Sequence, residues 1–335
     1  MFEPDTIATT GRKRPLSPHT EVDVALLRDP GDRLAPAADL LRSPAYFRVC
    51  APAYARAWYA VVMDGATGES LAGGWFAEVA PGEARSGSHG LFGALHSPFA
   101  PLPAALAARI VRATEEELVA RRIEQVSLVL PPAAFDPDTH AEWMNVLLRL
   151  DYTAAAPDLS FCTRVTVDSL ADRMDPAPRS AVRSAEGRGL STRELLPTER
   201  ADAHTIMAAD HQRSGRAPLH TLEALLALEA EAPGTVHWHG VFLRQRMIAA
   251  SVALSISEHW CRMHGIGDGG DLERENPSAL LVAHLHAWCA ARGIASLDLG
   301  LASTAGLPDE HRTAMARALG FESSAQYTLA KTLRG

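Results

Sequence analysis

EHWCRMHGIGDGGDLERENPSALLVAHLHAWCAARGIASLDLG, residues 258–300, is the stretch from which the fold is read. Through 258–264 the residues alternate, with Trp260, Arg262 and His264 on one face and Cys261 and Met263 on the other, the period of a strand. Residues 265–276 are rich in glycine and acid and form a loop. Asn276 is a good N-cap, and Pro277 suits the first helical position, where a missing N–H is not felt. Leu281, Leu285, Trp288 and Arg292 follow at helical spacing, and Gly293 supplies a left-handed stop. Residues 294–299 are a short, mostly apolar strand. A helix that returns the chain to a neighbouring strand leaves its N-terminus and the first strand's carboxyl end facing one crevice. The chemistry is expected there.

Gly265, Gly267 and Gly270 spell GxGxxG after a strand, the pattern of a dinucleotide site. Such a helix would open at that loop, yet Pro277 lies several residues downstream. Asp268, Asp271, Glu273 and Glu275 would also repel a pyrophosphate lying against the turn. The loop is therefore expected to be a connection and not a cofactor cradle.

Upstream, residues 236–243 and 247–257 read as a hairpin feeding the 258–264 strand. Residues 310–319 read as a helix ending at Gly320-Phe321, and 326–333 as a closing strand. The same order occurs earlier. Residues 58–63 and 71–79 form a hairpin, 87–101 are irregular, 104–122 form a helix and 123–130 a strand. A helix over 139–150 and a strand over 160–167 complete that half. LLRLDYTAAAPDLSFCTRV at 147–165 and MARALGFESSAQYTLAKTL at 315–333 both run helix, corner with an aromatic, loop, strand. Two similar α/β units in tandem are expected: a flexible segment over 1–40 with one strand at 22–27, a first unit over 41–168 and a second over 169–335. The second opens with a linker helix after Pro178, which carries Arg179 and Arg183, followed by Arg188 and Arg193. From 179 to 193 there are four arginines against one acid, Glu186, a concentration suited to phosphate or to a solvated linker surface.

With 335 residues and 47% hydrophobic content the chain can bury one large core or two ordinary ones. A net charge of −8 excludes a global field for nucleic acid, so any such contact must be local. The basic patch at 11–15 reads as a solvated tail. The four cysteines, Cys50, Cys162, Cys261 and Cys289, show no CxxC spacing, which argues against a zinc ribbon and for a reducing compartment. No signal-peptide pattern and no membrane-length apolar run is present, and a cytoplasmic location is expected. His237 and His239 share a strand face, and His284 and His286 are near neighbours on a helix. None of them stands at a zinc-ligand spacing, so no metal is expected.

Hairpin, strand, helix, strand, helix ending Leu319-Gly320-Phe321, strand is similar to the GNAT acyltransferase fold, and here the order occurs twice. RSAVRSAEGRGL at 179–190, leading into the second copy, resembles the Arg-x-x-x-Arg-x-Ala-x-x-x-Gly-Val/Leu stretch of the Fem-type aminoacyltransferases and their tandem-GNAT relatives. Asn276-Pro277 and Asp298-Leu299-Gly300 also look like that family, and the resemblance covers about residues 45–333. It implies two tandem GNAT-like domains, each a mixed central sheet flanked by helices. It also implies transfer of an acyl or aminoacyl group to an amine, either a cell-wall precursor or a small metabolite. Nothing is held as a tightly bound cofactor; aminoacyl-tRNA or acyl-CoA is the co-substrate, and a tRNA acceptor end is a possible partner. The chain departs from the family in several places. Where Fem-type enzymes often carry Phe-Lys-x-x-Phe-Gly, residues 315–320 read MARALG, with only Arg317 nearby. Residues 272–276 lack the glycines of a CoA loop, and 98–103 hold three prolines. Ala316 stands where CoA-dependent enzymes often place a tyrosine. A CoA-dependent N-acyltransferase and a non-catalytic tandem-GNAT binding protein are the alternatives.

Acyl transfer to an amine needs a route for the amine's proton and polarisation of the donor's carbonyl. His264, near the end of the central strand, and Asp298, at the end of the next, are the candidates for the proton. Arg179, Arg183, Arg188, Asn276, Ser303 and Arg317 are the candidates for binding substrate.

Overall fold

The structure is a computed structural model that describes residues 16–31, 39–87, 91–97, 102–215, 220–270 and 276–333. The basic patch at 11–15 and the acids at 271–275 lie outside the described residues. The first unit contains β1 (Val22–Leu27), α1 (Pro44–Cys50), β2 (Ala57–Asp64), β3 (Ser70–Ala80), β4 (Glu83–Ser86), α2 (Ala104–Ala120), β5 (Gln125–Val129), α3 (Pro137–Arg149) and β6 (Thr153–Ala154). After β7 (Asp158–Arg164) come α4 (Pro176–Ser184), β8 (Leu190–Glu194), α5 (Arg200–Arg213), α6 (Leu222–Glu231), β9 (Val236–Leu243) and β10 (Arg246–Ser257). The chain continues through β11 (Trp260–Asp268), α7 (Pro277–Ala291), β12 (Ser296–Leu301), the small pair β13 (Ser303–Thr304) and β14 (Leu307–Pro308), α8 (Glu310–Ala318), β15 (Glu322–Gln326) and β16 (Thr328–Thr332).

Two seven-stranded mixed sheets result, ordered β1-β2-β3-β4-β5-β16-β6 and β15-β7-β12-β11-β10-β9-β8. Each has one parallel pair at its centre, β4 with β5 and β11 with β12. The strands are not divided between the sheets at residue 168. β7 lies in the second sheet between β12 and β15, and β16 returns to the first between β5 and β6. Each unit thus lends the other a strand. β1 is not a separate tail either, for it pairs along its whole length with β2. The closing strand expected over 326–333 is β16, and an unexpected strand, β15, precedes it; the two are broken at Tyr327, where the chain passes from one sheet to the other.

The cores follow from this exchange. One face of the first sheet buries Trp58, Ala60 and Val62 with Leu106 and Ile110 of α2 and Val146 and Leu147 of α3. The other face joins the units. Tyr59, Val61 and Trp75 share a cluster with Tyr46 and Phe47 of α1, Met207 of α5 and Val252, Leu254 and Trp260 of the second sheet. Apolar surface removed from water contributes about 25 cal/mol per Å², so a seam filled with aromatic rings holds the two units together.

Helix α7 covers the far face of the second sheet and is buried nearly all round. Asn276 caps it as expected, accepting from the Ala279 N–H at 3.3 Å with φ 45°, and Gly293 ends it at φ 72°. The GxGxxG glycines serve packing. A Cβ on Gly267 would lie 2.6 Å from Met207 Cα, so the missing side chain is what lets α5 lie against β11. Among the described residues no helix is long and apolar enough to cross a membrane.

Candidate active site

β11 and β12 pair at Trp260 with Ser296, Cys261 with Leu297 and Arg262 with Asp298, and no further. Both strands are irregular just beyond that point. β11 carries an extra residue against β10, His264, where pairing jumps from Ala253–Met263 to Val252–Gly265. β12 shifts register against β7 between Asp298 and Gly300, with Gly300 at φ 83°. A bulge bends its strand and ends regular pairing, so the two strands part beyond this point, and the gap between them is a slot. The slot opens at their carboxyl ends, the side where α7 begins, and the helix directs the positive end of its dipole there.

Arg262 and Asp298 close the floor of the slot. Arg262 Nη1 donates to Asp298 Oδ2 at 3.3 Å, and both side chains are almost wholly buried. The other carboxylate oxygen, Oδ1, accepts from Ser160 Oγ at 3.2 Å and from the Gly300 N–H at 2.6 Å. Both oxygens of Asp298 are thus engaged. Arg262 Nε is buried and makes no hydrogen bond. Burial, with Asp298 and Glu322 adding to it, pushes the nearby Cys162 thiol up to about 12, so it is no thiolate at neutral pH.

His264 is buried on the seam side of β11. Its Nε2 lies 2.7 Å from Nδ1 of His220, which precedes α6. His220 Nε2 in turn stands 3.4 Å from Tyr46 Oη and 3.5 Å from Cys50 Sγ, both on α1. The sequence offers His264 and Asp298 as two candidates for the proton; in the structure His264 contacts His220, and Asp298 contacts Arg262, Ser160 and the Gly300 N–H. His220 stands 44 positions away in sequence, and nothing in its local pattern marks it. Arg262 had a visible signal, because it shares the strand face of His264 at a spacing of two.

The expected substrate-binding residues do not converge on the slot. Arg179 turns Nε and Nη2 back on the Met174 carbonyl, and Arg188 gives Nη2 to Ala181 O. Arg183 pairs with Asp172 at 2.7 Å, and Arg193 forms a two-pronged pair with Glu199. Ser303 Oγ donates to Asp158 at 2.6 Å and accepts from the Leu159 N–H, pinning the β13–β14 pair to β7. Arg317 is exposed on the last turn of α8, three residues before Gly320, whose carbonyl is held by Thr163 opposite Leu297. That level is below the slot. Asn276 does stand at the mouth, with its side chain occupied in capping.

The equivalent place in the first unit is filled. Leu91, Phe92, Ala94 and Leu95 are buried, Gly93 N–H reaches Val129 O at 3.3 Å, and His96 pairs with Gly73 of β3. A Cβ on Gly93 would lie 2.3 Å from the Gly87 nitrogen, so glycine lets the chain fold back over the end of β4.

Three further histidines meet between the second sheet and α7. His239 Nδ1 lies 3.2 Å from His284 Nε2, Thr192 Oγ1 lies 3.1 Å from His284 Nδ1, and His237 Nε2 lies 2.9 Å from Ser255 Oγ. Burial pushes His239 down to about 3, with His284, His237 and Arg292 adding to it, and chiefly burial lowers His284 and His237. Among the described residues no group of histidines, cysteines and acids is arranged to hold a metal ion.

No family profile and no curated protein matches the chain. Solved structures do. FemX superposes with a TM-score of 0.67 at 11% identity, covering 89% of this chain and 93% of its own. L-PGS from Bacillus licheniformis gives 0.54 at 10% identity, covering 79% and 82%. A tandem GNAT protein from the clavulanic acid biosynthesis pathway, determined without AcCoA, gives 0.52 at 13% identity, covering 94% and 99%. The fold is therefore two GNAT-like domains in tandem, each a mixed sheet flanked by helices.

Proposed function

We propose that this chain is an acyltransferase that moves an acyl or aminoacyl group from an activated ester or thioester to an amine, forming an amide in the slot between β11 and β12. The observation that carries it is the parting of these strands just past Arg262 and Asp298, with a histidine at the bulge. Where two strands part, main-chain N–H groups along the gap can turn toward a bound carbonyl. Aimed at a carbonyl oxygen, they stabilise the charge that develops as the amine attacks. His264 accepts the amine's proton, a role worth about 10²–10⁴-fold in rate. Asp298, with both oxygens engaged, holds Arg262 in place and is not the base. The similarity to FemX and to a tandem GNAT protein supports the reading, as does the filled crevice of the first unit, which leaves the second for chemistry.

The donors to offer are aminoacyl-tRNA and acyl-CoA, and the acceptors are small-molecule or peptide-like amines, cell-wall precursors among them. Products are read by mass spectrometry from a pool of charged tRNAs, then of acyl-CoAs, each with a set of amines. An amide product that disappears in a folded His264→Ala variant supports the proposal. Absence of product from every donor, with tight binding of one of them, would replace it with a non-catalytic binding protein.

A further inference from the structure

We propose that His220 is the positioning residue of His264: it takes the Nε2 hydrogen of His264 and so keeps that ring in the tautomer able to accept a proton. This rests on the role given to His264 above. The nitrogens His220 Nδ1 and His264 Nε2 are 2.7 Å apart, with ring centroids at 4.8 Å, and room exists for one hydrogen between them. A neutral pair therefore has two arrangements. In one, His220 Nδ1–H donates, the His264 hydrogen sits on Nδ1, and His264 is an acid. In the other, His264 Nε2–H donates, and Nδ1 is the proton acceptor. The second arrangement puts the His220 hydrogen on Nε2, facing Tyr46 Oη at 3.4 Å and Cys50 Sγ at 3.5 Å, both able to accept it.

When His264 takes the amine's proton, the positive charge spreads along the same line. His264 Nε2–H leans on His220 Nδ1, and His220 Nε2–H leans on the phenol and the thiol. The proton enters at His264 and leaves to solvent or product base after the amide forms; no electrons change hands. His220 is fixed by its neighbours, because Thr221 caps α6 directly after it and its carbonyl lies 3.2 Å from His204 Nε2 of α5. Among the described residues, titratable groups that reach the pair include Tyr46 and Cys50 from α1, at His220 Nε2, and His204 from α5, at the His220 carbonyl. Tyr46 and Cys50 belong to the unit whose own crevice is filled, so the first unit serves the second by holding its base.

The test uses the full-length protein with the donor and acceptor that give product. His220→Ala is expected to lower kcat about 10²-fold with little change in KM, to shift the acid limb of the kcat–pH profile, and to be partly restored by added imidazole. His220→Gln, Tyr46→Phe and Cys50→Ser are milder variants, with graded smaller effects expected. Nitrogen NMR of histidine-labelled protein gives a readout that needs no turnover: His264 should carry its hydrogen on Nε2 in the wild type and lose that preference in His220→Gln. Finding the hydrogen on His220 Nδ1 in the wild type overturns the proposal. So does a folded His220→Ala with unchanged kcat and pH profile beside an inactive His264→Ala. If no donor yields product, the acyltransferase reading fails by itself, and the NMR result still decides what His220 does.

Discussion

Arg262 crosses from β11 to Asp298 on β12, Nη1 to Oδ2 3.3 Å, at the last residue pair the two strands share. The ion pair is the seal of the slot. Above it the strands part, and below it they are an ordinary parallel ladder. A buried pair whose partner is removed leaves an uncompensated charge, at about 3–5 kcal/mol. Asp298→Ala and Arg262→Ala should each lose about that much stability in urea unfolding. Arg262→Met/Asp298→Leu, which removes both charges, should lose less than the sum of the two. Either single variant lying within about 1 kcal/mol of wild type would show that the pair does not seal anything.

Gly300 makes this crossing possible. Its φ is 83°, and a Cβ there would lie 2.8 Å from Arg262 Nη2. Gly293, at φ 72°, has nothing within 4 Å of such a Cβ. Ala at either position strains the backbone by about 1–2 kcal/mol. Gly300→Ala should exceed Gly293→Ala in urea unfolding, because it also displaces the guanidinium, and should lower turnover where Gly293→Ala does not. Equal losses and equal turnover would mean that only backbone strain is at stake.

Much of this was legible in the residues. The alternation of β11, the Asn276-Pro277 start of α7 and the Gly293 stop are local signals, and the doubled order of elements gave the two units. The exchange of β7 and β16 was not legible, because a strand's own pattern does not say which sheet it joins; Gln326 and Tyr327 look like one continuous strand with residues 328–332. Helices α5 and α6 went unread, for Arg200–Arg213 has no strong apolar stripe and Leu222–Glu231 is short. His264 was singled out from its place on the strand, whereas His220, Tyr46 and Cys50 come to it from far along the chain. The arginines of 179–193 read as either a phosphate surface or a solvated linker surface, because sequence counts charges and does not show the carbonyls and acids that engage them here.

Those arginines give a test. Arg183 and Asp172 are 63% and 58% exposed, and pairs of that kind contribute about 0–1 kcal/mol. Arg183→Ala should barely change stability, whereas Arg179→Ala, which frees the Met174 carbonyl, should loosen the start of α4. A residue that contacts a donor phosphate would shallow the slope of log affinity against log salt by about 0.7–0.9. With donor binding measured from low to moderate salt, both variants are expected to keep the wild-type slope. A slope shallower by that amount would return the linker helix to the donor site.

The histidines under α7 set the last expectation, a loss of stability in mild acid. In the unfolded chain an imidazole titrates near 6.5. In the folded protein burial holds His239 near 3 and lowers His284 and His237 as well. Between those values the unfolded chain binds the protons and the folded one does not, so stability rises with pH through the window and is complete above about 6.5. Each such group contributes a slope of about 1.4 kcal/mol per pH unit. Unfolding in urea at several values between pH 7 and 4.5 should show this decline, and His239→Gln, which cannot titrate but can still hydrogen-bond His284, should reduce its steepness by up to one group's share. The variant will be less stable than wild type at pH 7 if Gln packs poorly, but the comparison is of slopes. Identical slopes would mean that His239 is protonated in the folded state at these pH values, in which case water must reach the space between the second sheet and α7.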